Sequence, residues 1–112
     1  MKTEYVTDLP EDWMPAAAVF AALGDPMRQK ILLLFEPGEE LSIKDIADLF
    51  PLSRTAVVHH LSVLERAGIL RARREGKAAL YSLKVTTVLE AIDGLRRYIM
   101  DVFPEAAASA PP

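Results

Sequence analysis

The chain has 112 residues and no cysteine. That single absence removes disulfides, thiolate metal sites and thiol redox chemistry together. No apolar run approaches the roughly 20 residues needed to cross a bilayer; Ile31–Phe35, for example, spans only five positions. The opening MKTEYVTDLPEDW has no apolar stretch of the kind that forms a signal peptide. A soluble, cytoplasmic protein with no membrane association is therefore expected. No internal repeat is visible. Paired carboxylates, a phosphate-binding loop and a nucleophile–base pair are also missing, so no enzyme is expected.

What remains is enough for one domain. Hydrophobic residues make up 51 % of the chain, which suits a single small core that gains from pairing with a partner. Net charge is −3, but it is unevenly spread. Residues 1–41 hold three basic and eight acidic side chains, residues 42–84 eight basic and four acidic, and residues 85–112 two basic and four acidic. A basic block thus lies between acidic flanks. Such a block can attract phosphate whatever the total charge, because salt screens distant charges over about 8 Å.

The order of elements follows from caps and periodicity. Residues 1–11 read as a flexible arm and residues 12–103 as the domain. An alanine-rich helix is expected from Asp12 or Pro15 to about Leu23, ended by Gly24. Asp25-Pro26 then starts a second, from Pro26 to about Phe35, as an N-cap followed by proline at the first helical position. Ser42-Ile-Lys-Asp45 has the shape of a capping box and opens a short helix ended by Pro51. Ser53 caps the next helix, which runs to about Ala67 and buries Val57, Leu61 and Leu64, with Gly68 as its stop. Ile69–Arg74 and Ala78–Leu83 flank Glu75-Gly76-Lys77 as a two-stranded hairpin, with Ala79, Tyr81 and Leu83 turned inward. A last helix covers about Val85 to Phe103, and residues 104–112 are expected to be disordered.

Two short helices with a brief turn between them, followed by a hairpin, have the order of a winged helix-turn-helix. The fold class expected is mainly α with a small β-hairpin: about five helices plus a two-stranded wing. In this arrangement Arg54, Thr55, Val58, His59 and Ser62 face away from the buried side of the second helix, and Ser53 opens it. Arg54 can pair with guanine, His59 and Ser62 can donate to bases or phosphates, and Val58 and the Thr55 methyl can touch thymine methyls. Arg71, Arg73, Arg74 and Lys77 lie on the hairpin, where some can reach phosphate; edge-strand protection is the competing role for them.

These segments resemble those of ArsR-type (ArsR/SmtB-like) regulators. Ala22–Leu32, ALGDPMRQKIL, is similar to the family's ALGDPTRLRIL opening. Glu40–Ala47, ELSIKDIA, resembles its ELCVCDLA segment, and Ser53–Leu64, SRTAVVHHLSVL, its SQSTVSRHLKVL helix. Glu65–Leu70 and Arg73–Lys77 resemble its REAGLV and RREGR stretches. The match covers roughly residues 20–83. The resemblance implies a homodimeric winged-helix transcription regulator, usually a repressor released from double-stranded DNA by an effector. The chain departs from that pattern where the family's metal box has cysteines and this sequence has Ser42 and Lys44. The family's other zinc site uses histidine on the last helix, and residues 85–103 contain none. Neither a regulatory metal in those places nor a cofactor is expected. Pro51 stands where glycine is common, so the turn must use a different geometry.

The paired histidines do not make a metal site by themselves. Adjacent helical residues point about 100° apart, whereas useful pairs are three or four apart. His59 is expected to face DNA and His60 to pack or hydrogen-bond locally. On the last helix, Val85, Val88, Ile92, Leu95, Ile99 and Val102 follow the alternating three–four spacing of a helix-pair seam. Leu89, Tyr98 and Phe103 form a second strip. One strip is expected to serve the core and the other a homodimer, with Trp13, Val88, Ile92, Leu95, Ile99 and Val102 as interface candidates. A winged-helix protein-interaction module that does not bind DNA is the alternative reading.

Overall fold

A computed structural model of the chain describes residues 1–108. A 3-10 turn at Glu11–Trp13 leads into helix α1, Met14–Leu23, followed by α2, Pro26–Leu32. Strand β1, Leu41–Ser42, runs directly into α3, Ile43–Ala47. Helix α4, Arg54–Arg66, precedes strands β2, Leu70–Glu75, and β3, Ala78–Leu83. The long helix α5, Val85–Val102, then packs beside α1. No helix among the described residues is long and apolar enough to cross a membrane.

The sheet has three strands, not the expected two. Its order is β1-β3-β2 and both pairings are antiparallel. The extra strand places Leu41 opposite Tyr81 and Ser42 opposite Leu80. On the other side of β3, Ala72 faces Tyr81 and Arg73 faces Leu80. Of the three residues expected to turn inward, Tyr81 is buried, while Ala79 and Leu83 are half-buried against the core. The wing is thereby tied by main-chain pairing to the start of the helix-turn-helix.

Local chemistry explains where the elements stop. Ser42 forms the complete capping box: its hydroxyl accepts from the Asp45 amide at 3.1 Å, and the Asp45 carboxylate accepts from the Ser42 amide at 2.9 Å. Helix α2 is shorter than expected because Leu34 and Phe35 bond to carbonyls three residues back, at Ile31 and Leu32. This tightening carries the chain out of the helix and into the Pro37-Gly38 turn, where Gly38 has φ +77°. At the end of α4, Gly68 takes φ +79°. Its amide bonds Glu65, and that of Ile69 reaches back to Leu64 at 3.0 Å. Buried Ile69 and Leu64 complete this Schellman closure. Around Pro51, no described residue other than glycine has positive φ, so the turn dispenses with a left-handed position.

The core joins α1, α2, α3, α4, the sheet and α5. Ile31, Ile46, Val57, Leu61, Leu64 and Ile69 are fully buried. A polar clamp lies beside it. Arg28 donates from Nε to the Ala22 carbonyl at 2.6 Å, has Asp25 within 3.5 Å, and approaches His60 Nδ1 at 3.3 Å. It therefore links the end of α1, the start of α2 and α4. At the far end, Pro104–Ala108 form a 3-10 turn with Ala106 half-buried. Proline ends α5, and the Ala106 amide bonds back to the Phe103 carbonyl. The remainder of the expected disordered tail, residues 109–112, lies outside the described residues.

Leu61→Ala should lower unfolding free energy by about 2–5 kcal/mol in urea titrations, because the core around a fully buried leucine refills only in part. Acid should also destabilise the fold. The Met27 amide holds the Asp25 carboxyl below its ordinary range, the Ser42 amide does so for Asp45, and Arg73 for Glu40. A carboxyl depressed by folding adds stability above its unfolded pKa and loses it as pH falls through the folded one. Thermal midpoints should thus hold from pH 7 to 5 and decline below about pH 4, with a shallower decline in Asp45→Asn.

Candidate nucleic-acid interface

Helix α4 separates two kinds of side chain cleanly. Val57, Leu61 and Leu64 are buried, whereas Arg54, Thr55, Val58 and His59 are exposed. Ser53 sits at the N-cap, its hydroxyl accepting from the Ala56 amide at 3.1 Å. The first turn of the helix contains no acidic residue, so its amide end and Arg54 present a positive end to solvent. Ser62 is half-buried, further along the same helix. The four exposed residues and Ser53 therefore share one accessible surface, and Ser62 lies at its margin.

The wing residues divide by strand alternation. Arg71, Arg73 and Glu75 oppose Ser82, Leu80 and Ala78, while Arg74 opposes Ala79, on the face shared with Tyr81. Arg74 lines a cleft of about 470 Å³ with Ile43, Glu65, Ala72, Arg73, Ala79 and Tyr81. Burial first, and Glu65 second, push the Tyr81 phenol above its ordinary pKa. Lys77 is exposed beyond Gly76, which turns the hairpin with φ +60°. Arg71, Arg74 and Lys77 have no carboxylate partner among the described residues, but Arg73 does: its guanidinium bonds both Glu40 and Glu75. Sequence reading missed Glu40 and Arg28. Each acts on a residue more than thirty positions away, and no periodicity signals such a pairing.

At the positions of the family's cysteine box, both side chains are engaged in holding α3. Ser42 caps it, and Lys44 pairs with Asp48 at 2.6 Å. The Asp48 carboxylate raises the Lys44 pKa further, so the amine is held in the cationic form that cannot ligate metal.

The dimer candidates occupy different surroundings. Trp13 is half-buried and packs edge-on against Tyr98 of the same chain, with centroids 5.1 Å apart. Val88 packs against the chain's own core. Ile92, Leu95, Ile99 and Val102 are exposed, as are Val85, Leu89, Tyr98 and Phe103. Only Ala91 of α5 is buried. Ile92 at 48 % and Leu89 at 54 % exposure show that both apolar strips continue into solvent. A groove of about 370 Å³ between Phe20, Ile92, Leu95, Ile99, Met100 and Ala106, with Arg96 at its rim, belongs to this surface.

Comparison with known proteins gives the same architecture. A family model described as a helix-turn-helix domain matches residues 23–73. The transcriptional repressor SdpR of Bacillus subtilis is 36 % identical over 81 residues, covering 72 % of this chain and 89 % of that protein. An uncharacterized HTH-type transcriptional regulator of Methanocaldococcus jannaschii is 33 % identical over 88 residues, covering 76 % of this chain and 99 % of that protein. Among solved structures, an ArsR-like transcriptional regulator from Rhodococcus superposes with a TM-score of 0.76 at 26 % identity, over 88 % of this chain and 92 % of that one. With the capped α4, the wing and these relatives in agreement, the chain belongs to the ArsR-type family of winged helix-turn-helix, DNA-binding transcriptional regulators.

Proposed function

We propose that the protein acts in the cytoplasm as a homodimeric repressor that reads a near-palindromic operator in double-stranded DNA. The observation that carries this reading is the outward row of α4: Arg54, Thr55, Val58 and His59 exposed together behind a serine cap. Arg54 reads a guanine edge, Val58 and the Thr55 methyl meet thymine methyls, and His59 and Ser62 donate hydrogen bonds. Ser53 and the helix N-terminus lie against a phosphate. Arg74 and Lys77 supply phosphate contacts from the wing, which add affinity without sequence preference. Occupation of an operator by such a dimer represses by blocking access to the DNA beneath it.

The exposed apolar strips of α5 support the dimer. A helix with both strips in solvent lacks a partner for one of them, and a second copy brings an identical surface under twofold symmetry. Two copies of α4 then enter successive major grooves about 34–36 Å apart. Leu95 and Ile99, on the groove that Phe20 borders, lie at the centre of the proposed contact.

Two experiments test these assignments. In fluorescence anisotropy on matched and scrambled duplexes, Arg54→Ala should cost about 1–3 kcal/mol on the matched site and little on the scrambled one, while Lys77→Ala should weaken both alike. Equal losses on both duplexes for Arg54→Ala would remove its base-reading role. In light scattering coupled to size exclusion, the wild type should elute as a dimer and Ile99→Asp as a folded monomer, since an unpaired buried charge disrupts an apolar contact. A variant that still elutes as a dimer places the interface elsewhere.

A further inference from the structure

Arg73 stands apart from the other wing cations because two of its three guanidinium nitrogens already donate to carboxylates. Its Nε donates to Glu40 Oε2 at 2.5 Å, and its Nη2 donates to Glu40 Oε1 at 2.8 Å and Glu75 Oε2 at 3.0 Å. The contact with Glu40 is bidentate, the geometry in which a planar guanidinium binds a carboxylate most specifically. One cation between two anions leaves a net charge of −1. A phosphate approaching this trio meets net repulsion, and the Nε edge of Arg73 is closed to it by Glu40.

The position of the trio indicates what it does. In the sheet order β1-β3-β2, Arg73 lies on β2 and Glu40 just ahead of β1. The side chain therefore reaches across β3, in the row where Arg73, Leu80 and Ser42 stand side by side. Strand β1 is only two residues long and passes at once into α3. Main-chain pairing that short gives little resistance to twisting. The ion pair adds a second link between the hairpin and the residue that leads into the helix-turn-helix, fixing the angle of the wing relative to α3 and α4.

We infer that Arg73 and Glu40 form a wing latch: Arg73 is a positioning residue that sets where Arg74 and Lys77 meet DNA, and is not itself a phosphate contact. The consequence for binding rests on the DNA-binding role of the wing proposed above; the latch itself does not. Because Glu40 carries the opposite charge to the cations used for binding, the latch makes an unusual demand. Removing this acid should weaken DNA binding, where simple electrostatics would strengthen it.

The test compares Glu40→Gln with Glu75→Gln, which remove the same charge while only the first breaks the bidentate link. On a duplex selected for wild-type binding from a random pool, Glu40→Gln and Arg73→Gln should each bind about two- to fivefold more weakly than Glu75→Gln, the range expected of an exposed ion pair. The double variant Glu40→Gln/Arg73→Gln should be no worse than the weaker single one. The slope of log K against log salt should stay unchanged in Arg73→Gln but fall by about 0.9 in Lys77→Gln, as one phosphate contact is lost. Tighter binding by Glu40→Gln than by Glu75→Gln, or a slope loss of about 0.9 in Arg73→Gln, would overturn the latch. Amide hydrogen exchange on the free protein provides a readout independent of DNA. The Leu41 and Tyr81 amides, opposite each other across β1 and β3, should exchange faster in both latch variants and not in Glu75→Gln; unchanged exchange in either latch variant overturns the proposal even if no duplex is bound.

Discussion

Burial of one face of α4 decides what the molecule turns toward solvent. Val57, Leu61 and Leu64 have no exposed surface, and they meet a core built from every other layer of the molecule. Because that face is held at a helical period, the opposite face has no freedom about where it points. The exposure of Arg54, Thr55, Val58 and His59 is therefore a consequence of packing. Function in this fold comes from what the core leaves outside, and rigid placement lowers the entropic cost of presenting several groups at once.

Around this helix, polar contacts act as braces. Arg28 joins the α1–α2 corner to His60 on the half-buried flank of α4. Ser42 and Asp45 cap α3 reciprocally, and Glu40 with Arg73 ties the wing to the strand that enters α3. An overall charge of −3 is compatible with DNA binding because many acids are spent internally or lie on the flanks, while Arg54, Arg71, Arg74 and Lys77 have no ion-pair partner among the described residues. The protein thus separates cations that hold the scaffold, such as Arg28 and Arg73, from cations that remain available.

Much of this was legible in the chain because its signals are local. The Ser42–Asp45 capping box, the Asp25-Pro26 helix start, the Gly68 closure and the period of α4 each depend on residues within a turn or two of one another. Strand β1 was not legible: it is two residues long, and Ser42 serves both as its last residue and as the cap of α3. The ends of α2 and α3 were overestimated for a related reason, since apolar residues continue the helical spacing after the α-helical bonding has tightened or stopped. The clamps of Arg28 and Arg73 were hidden by sequence separations of more than thirty residues. Charge counting cannot tell Arg73 from its wing neighbours; the register of the sheet brings Glu40 beside it. For α5, the apolar pattern announced two strips, but it took the packing of α1 to show that Val88 belongs to the chain's own core while Ile92, Leu95, Ile99 and Val102 remain in solvent.

In the proposed dimer, one packed helix doubled by symmetry presents a sequence-reading surface to duplex DNA. Selection of bound duplexes from a random pool at moderate salt tests this most directly, since it reports affinity, symmetry and spacing in one experiment. A dimer reading two half-sites should enrich a near-palindrome whose half-site centres lie about one helical turn, 10–10.5 base pairs, apart or at a multiple of it. A pool that emerges without a shared motif, or with a single unrepeated half-site, would contradict it.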